Sequence, residues 1–310
     1  MPKISIITTA YKHQDFIVET IESILSQTFT DWELLIWDDS PDDLTWNIIQ
    51  AYVNKYPDKI KAWHNNPNKW IVDNMNFLLE NVSVDSEYVA FLEWDDLYTP
   101  DNLKEKLKVF ERYPEVWMVY NNLDFIDEKW EIFLKNFLKN TKKFLKNEKI
   151  SLEYFINSWI IYWSYSSLMI KTSIIEKMKI INPTNNKLFL VSDSILFWRV
   201  ASNYNSYWIE KSLTLYRRHN WNLTINWWNF NDDLIIELEY FKKIDNNIDI
   251  NYTLLKLKML SSYKKNKKLD TIKYVIYSFK YSLYKDLVKR IWVLILSCLP
   301  YKLSNFCLKR

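Results

Sequence analysis

A chain of 310 residues, 48% hydrophobic and 25% charged with a formal net charge of +3, has the composition of a soluble globular protein and ample length for a buried core. Its only cysteines, Cys298 and Cys307, lie near the end of the sequence, which excludes a disulfide framework or a cysteine zinc site and fits a reducing cytosol. The charge is uneven: residues 232–310 hold 16 Lys or Arg against 8 Asp or Glu, a net of +8, leaving −5 for the rest.

The predicted elements begin with a β-branched strand at Lys3–Thr9, followed by an amphipathic helix over Asp15–Ser26 with Ile17, Ile21, Ile24 and Leu25 on its apolar face. Trp32–Trp37 reads as a second strand ending at Asp38-Asp39. Asp43–Tyr56 reads as a helix, Ile60–Trp63 as a strand, and Asp73–Glu80 as a helix. Tyr88–Leu92 is a further buried strand running into Glu93-Trp94-Asp95-Asp96. This alternation predicts an α/β fold with a parallel sheet. Trp117–Asn121 and Phe125–Phe133 read as strands around a turn at Asp127–Trp130. Asn136–Lys149 reads as a surface loop or an exposed helix. Beyond residue 225 the pattern becomes helical, at Asp232–Phe241, Tyr252–Tyr263 and Thr271–Leu299. The predicted division is therefore a domain over 1–225 and a helical, basic region over 226–310.

The composition carries one anomaly: 16 tryptophans and no glycine. Ordinary usage of about 7% would give roughly 20 glycines, and glycine is the usual residue where the backbone takes positive φ. Tryptophan stands at turn-like places instead, as in Asn68-Lys69-Trp70, Asp127-Glu128-Lys129-Trp130 and His219-Asn220-Trp221-Asn222. The pattern predicts that many of these tryptophans are glycines, from a genome in which a codon read here as Trp encodes Gly; the alternative, a biased, aromatic-rich composition, explains high tryptophan but not the absence of glycine.

Asp38-Asp39 and Asp95-Asp96 both follow predicted parallel strands, whose carboxyl ends form the ligand crevice of open α/β sheets. Carboxylates gathered there repel one another unless they hold a cation, and Mg²⁺ or Mn²⁺ takes oxygen ligands and bridges to phosphates. Solvated turn or cap residues are the alternative for either pair taken alone.

The segments ISIITTAYKHQDFIVETIESILSQTFTDWELLIWDDS and FLEWDDLYTPDNLKEKL resemble the family 2 glycosyltransferases of the GT-A fold, the likeness running from Lys3 to about Thr224. The resemblance implies a Rossmann-like, mainly parallel sheet flanked by helices, with a helical C-terminal appendage. It also implies inverting transfer of a sugar from a nucleotide-diphosphate donor to an acceptor hydroxyl, aided by a divalent cation (Mn or Mg). On this likeness Thr9, Ala10 and Tyr11 lie beside the nucleotide, and Asp38 or Asp39 bonds its base. Asp95 and Asp96 fall on the metal motif. Glu93, where the family commonly has aspartate, contacts ribose or a metal-bound water. Asp193, in Phe189-Leu190-Val191-Ser192-Asp193, falls on the general base that would take the acceptor's proton; an N-cap role is compatible with this. The stretch Tyr216–Thr224 resembles a segment in which His219 completes the metal or diphosphate site and Arg217 or Arg218 balances phosphate charge. His13 and His64 have no such context and are assigned to the surface. Trp70, Trp94, Trp117, Trp130 and Trp221 fall where glycine or another small residue is expected, so some of them should show positive φ. Trp32 and Trp198 read as genuine tryptophans.

The expected partners are a nucleotide sugar and a glycan or lipid-linked acceptor, with no nucleic acid. Lys285–Leu303 places Leu287, Ile291, Leu294 and Ile295 near one face, with basic residues before them. Such a helix would lie on an anionic membrane surface or pack on the domain. The N-terminus predicts no signal peptide, and Ile291–Leu299 is too short to span a bilayer. The expected location is cytoplasmic and peripheral to the inner membrane face, in cell-surface glycan synthesis. A nucleotidyltransferase, or a non-catalytic binding module on the same fold, is the alternative. A nucleotidyltransferase would show a Gly-rich, basic N-terminal loop, and TTAYKHQDF is not one.

Overall fold

The computed structural model describes residues 2–65, 71–137, 146–149, 164–178 and 192–219, with Ile235, Glu239 and Lys258 as isolated helical positions. The chain divides into two units, 1–151 with 161–222, and 152–160 with 223–310. The predicted basic tail, its amphipathic face and both cysteines lie outside the described residues.

The strands β1 (Ile4–Ala10), β2 (Trp32–Asp38), β3 (Ile60–His64) and β4 (Tyr88–Phe91) form a parallel block in the order β3-β2-β1-β4. Every residue of β1, β2 and β4 is buried. This is why these strands read as continuous apolar runs: helices cover both faces of a parallel sheet. The register sets Ala10 of β1 opposite Asp38 of β2, so both strands end at the same level. The chain order reverses at β1, the switch point where a crevice opens beyond the strand ends.

Three helices close this block. In α1 (Ile17–Leu25) the residues Ile17, Ile21 and Ile24 are buried, at the spacing that puts them on one face. Each contributes about 1.5–3 kcal/mol against exposure. In α2 (Asp43–Lys55) Asp42 caps the first turn, its carboxylate accepting from the Leu44 amide at 3.1 Å. The third, α3 (Ile71–Glu80), packs against β1 and β2 and starts two residues earlier than the sequence pattern suggests.

The second half is less regular. The two-residue β5 (Leu97–Tyr98) leads into α4 (Asn102–Arg112), and then come the long β6 (Val116–Ile126), β7 (Ile132–Leu134) and β8 (Lys146–Glu148). A short 3₁₀ turn at Tyr165–Ser167 precedes β9 (Leu168–Lys171) and α5 (Ser173–Met178); α6 (Ser192–Asn203) and β10 (Asn205–Arg217) follow. The strand β9 runs antiparallel between β4 and β6, while β10 pairs parallel with β6 and antiparallel with β5. Among the described residues the result is one mixed, mainly parallel ten-stranded sheet, the α/β arrangement expected.

Candidate active site

The crevice has two walls. The first is built at the ends of β1 and β2. Thr9 and Ala10 are buried and Tyr11 is exposed. The Asp39 amide donates to the Ala10 carbonyl at 2.9 Å, tying the two strand ends together. Asp38 and Asp39 then diverge. Asp38 is fully buried, and its Oδ1 accepts from the Ser40 amide (3.1 Å) and hydroxyl (2.6 Å). Burial raises the Asp38 pKa above the usual aspartate range, opposed by the Ser40 bonds and by nearby His64. The Asn65 side-chain Nδ2 donates to Asp39 Oδ1 at 3.4 Å and also reaches Asn74 Oδ1.

The second wall surrounds the turn after β4. Asp96 is fully buried and both its oxygens are used within the protein: Oδ1 accepts from the Arg217 amide at 2.9 Å, and Oδ2 from Ser166 (2.6 Å) and Ser164 (3.3 Å). Ser164 also donates to Glu93 Oε2 at 2.9 Å, and the Glu93 amide donates to Ser166 at 3.0 Å. Asp95, the next carboxylate, faces His219: Oδ2 lies 2.9 Å from His219 Nε2, with both side chains nearly fully buried. Asp193 stands in the first turn of α6, near enough for its charge to act on Glu93. Burial raises the Glu93 pKa well above the usual glutamate range, and Asp96, Asp95 and Asp193 add to it. Burial and Asp95 push Asp96 the same way against its three donors. A set of carboxylates held this way is short of positive charge.

A carboxylate oxygen and an imidazole nitrogen 2.9 Å apart fit neighbouring ligands of one octahedral ion, since bonds of about 2.0–2.1 Å place such ligands about 3 Å from each other. Among the described residues no three His, Cys, Asp or Glu groups meet in ligand geometry. Two protein ligands, with the remainder from phosphate and water, is the usual pattern for magnesium-like ions. Asp96 departs from the expected pairing with Asp95: its oxygens brace the turn from behind.

Residues 5–171 match the family described as Glycosyl transferase family 2. The chain belongs to this family. Among the similar sequences is the Escherichia coli protein named UDP-Glc:alpha-D-GlcNAc-diphosphoundecaprenol beta-1,3-glucosyltransferase WfaP, 36% identical over 123 residues that make up 39% of this chain and 46% of that one. The chain spans about half the length of such curated relatives, 45% of another. Among solved structures, S. aureus TarS 1-349 in complex with UDP-GlcNAc matches with a TM-score of 0.58 at 16% identity, over 95% of this chain and 79% of that one. The mannosyltransferase PcManGT from Pyrobaculum calidifontis, in complex with GDP-Man and Mn2+, matches with a TM-score of 0.58 at 13% identity, over 97% of this chain and 82% of that one. These structural likenesses establish the GT-A fold.

Several residues of the crevice were not singled out by the sequence. His13, assigned above to the surface, is half-buried inside it: its Nδ1 accepts from the Tyr11 amide at 2.9 Å, and burial with the charge of His219 pulls its pKa far below the usual histidine range. His64 is likewise partly buried; its Nε2 lies 3.0 Å from the Ser40 carbonyl and 3.8 Å from Asp38. Ser164 and Ser166 come from a stretch with no readable pattern. Arg217 is completely buried, its Nε and Nη2 bonded to protein groups and its Nη1 buried without a hydrogen-bond partner, and the Arg218 guanidinium lies over Phe125 and Tyr216.

Two tryptophans sit uneasily in this family member. Trp130 has φ 71° and closes a three-residue hairpin loop: its amide donates to the Asp127 carbonyl at 3.2 Å, and the Asp127 amide to the Glu131 carbonyl at 3.1 Å. A turn followed by a left-handed residue is the bulge loop that favours glycine at that place. The Trp94 indole stacks on His13 at 3° with ring centroids 2.7 Å apart, well inside the roughly 3.5–4.0 Å at which carbon atoms pack. Phe16 and His219 flank it at ordinary aromatic separations, 6.1 and 5.5 Å between centroids. Trp94 and Trp117 keep negative φ; Trp70 and Trp221 lie outside the described residues.

Proposed function

We propose that this chain is an inverting glycosyltransferase that moves a sugar from a nucleotide-diphosphate donor to an acceptor hydroxyl. The observation that carries the reading is the Asp95–His219 pair at 2.9 Å beyond the carboxyl ends of β4 and β10, with Glu93 and Asp193 close enough for their charges to act on one another. Thr9, Ala10, Tyr11 and Asp39 receive the nucleotide. Asp39 takes the base, because Asp38 is turned back onto Ser40. Asp95 and His219 would hold Mn²⁺ or Mg²⁺, which stabilises charge on the departing diphosphate. Glu93 orients the ribose or a bound water. Asp193 accepts the proton of the acceptor hydroxyl as it attacks the anomeric carbon from the face opposite the diphosphate.

A lipid-linked or glycan acceptor suits this reading, since the relative WfaP is named for a diphosphoundecaprenol acceptor. The basic segment after residue 225 would then rest on the inner membrane surface, in cell-surface glycan synthesis. Among the described residues no helix is long and apolar enough to cross a membrane.

The test is product analysis with a panel of nucleotide sugars. Asp193→Asn should abolish transfer while donor binding, followed by calorimetry, persists; surviving turnover rejects the base. Asp95→Ala should remove the Mn²⁺ dependence of donor binding, and unchanged dependence rejects that ligand.

The functional polypeptide carries glycine at 94 and 130 on this reading. Glycine at 130 suits φ 71°, and glycine at 94 clears the volume between His13 and His219 into which a diphosphate would reach. The intact mass of the protein from its own organism decides the matter, because each Trp-to-Gly difference lowers it; a mass equal to that of the sequence above overturns the reading.

A further inference from the structure

We propose that Arg217 is a positioning residue for the Asp95–Asp96 turn, with Glu19 as its anchor, an inference that rests on the metal site proposed above. Arg217 ends β10 with its side chain wholly buried. Its amide donates to Asp96 Oδ1 and its Nε to the Asp95 carbonyl, each at 2.9 Å. Its Nη2 pairs with the Glu19 carboxylate of α1, and its guanidinium lies 4.8 Å over the Phe16 ring. One residue thus fastens the metal turn after β4 to both α1 and β10.

The consequence lies two residues further along the chain. His219 faces Asp95 Oδ2 at 2.9 Å, and that separation is set by two backbones that meet through Arg217: the turn holding Asp95 and the strand end leading to His219. Asp96, although adjacent to Asp95, serves as the acceptor by which β10 grips the turn. A planar fork with fixed donor directions is suited to this bridging, where a flexible ammonium is not. Groups behind metal ligands typically contribute 10–100-fold to affinity without touching the ion.

The full chain and its D95N, R217M and E19Q variants would be titrated with Mn²⁺ alone, with free ion read by electron paramagnetic resonance and folding checked by near-UV circular dichroism and melting temperature. D95N should lose the site. R217M and E19Q should bind Mn²⁺ about tenfold more weakly while keeping the unaltered chain's near-UV spectrum. If R217M fails to fold, E19Q decides, since the Glu19 side chain is 28% exposed and the change keeps its shape. Unaltered affinity in a folded R217M or E19Q, with D95N inactive in binding, overturns the positioning role and leaves the metal site standing. Absence of Mn²⁺ binding by the unaltered chain overturns both.

Discussion

At residue 130 the backbone and the side chain make opposite demands. The hairpin loop requires a left-handed residue there, a conformation that costs a non-glycine residue about 1–2 kcal/mol. The indole compensates partly, its Nε1 donating to Glu19 at 2.9 Å, but 47% of the residue remains in solvent. Trp130→Gly is therefore expected to raise stability by about 1 kcal/mol, read as a higher urea midpoint at unchanged slope; a lower midpoint would show that indole contacts outweigh the backbone. Trp94→Gly acts on the crevice instead. It relieves the stack on His13 and should strengthen donor binding in the Mn²⁺-dependent assay, whereas weakened binding would make the indole part of the donor site.

At the scale of elements, β2 carries a buried charge that ties sheet to loop. Glu33 accepts from Ser5 (2.6 Å), the Ser83 amide (2.9 Å) and Lys61 (2.9 Å). Burial alone would raise its pKa, yet these bonds bring it below the usual glutamate range. A depressed carboxylate stabilises the fold above the unfolded pKa of about 4.3, and that contribution is lost as pH falls through the folded value. Glu33→Gln should accordingly lose about 1–3 kcal/mol at pH 7 and show a flatter acid limb in denaturant melts; an unchanged pH profile would dismiss the charge. The same strands show what the sequence made legible. The block β1, β2 and β4 is uniformly buried, so it reads as apolar runs, and the acids at its ends are visible from position alone. β10 does not read as a strand, because Glu210, Lys211 and Ser212 interrupt it where the register with β6 shifts. Its Arg217 was therefore visible only as a phosphate-balancing charge, not as a brace. Ser164 and Ser166 lack any local pattern; only the tertiary approach of their turn to Asp96 gives them a role.

At the scale of the molecule, the proposed ligand groups come from distant parts of the described chain: Thr9 and Ala10 at the end of β1, Tyr11 just after it, and His219 after β10. Binding that bridges such distant segments should stabilise the whole fold. Donor plus Mn²⁺ at about 100 times Kd should add about 2.7 kcal/mol, seen as a raised melting temperature, and binding without such a shift would mean that the ligand also holds the unfolded chain.

The parallel pairing of β10 with β6 has a consequence in time. Residues 116–126 wait for residues 205–217, and loop closure over such a separation is slow compared with local helix formation. During synthesis β2 and β4, with Asp39 and Asp95 just beyond their ends, emerge well before Arg217 and His219. On the proposed site, a nascent chain would assemble the strand ends beside Asp39 while Asp95 still lacks His219, and any chemistry that needs that pair would begin only once β10 has docked.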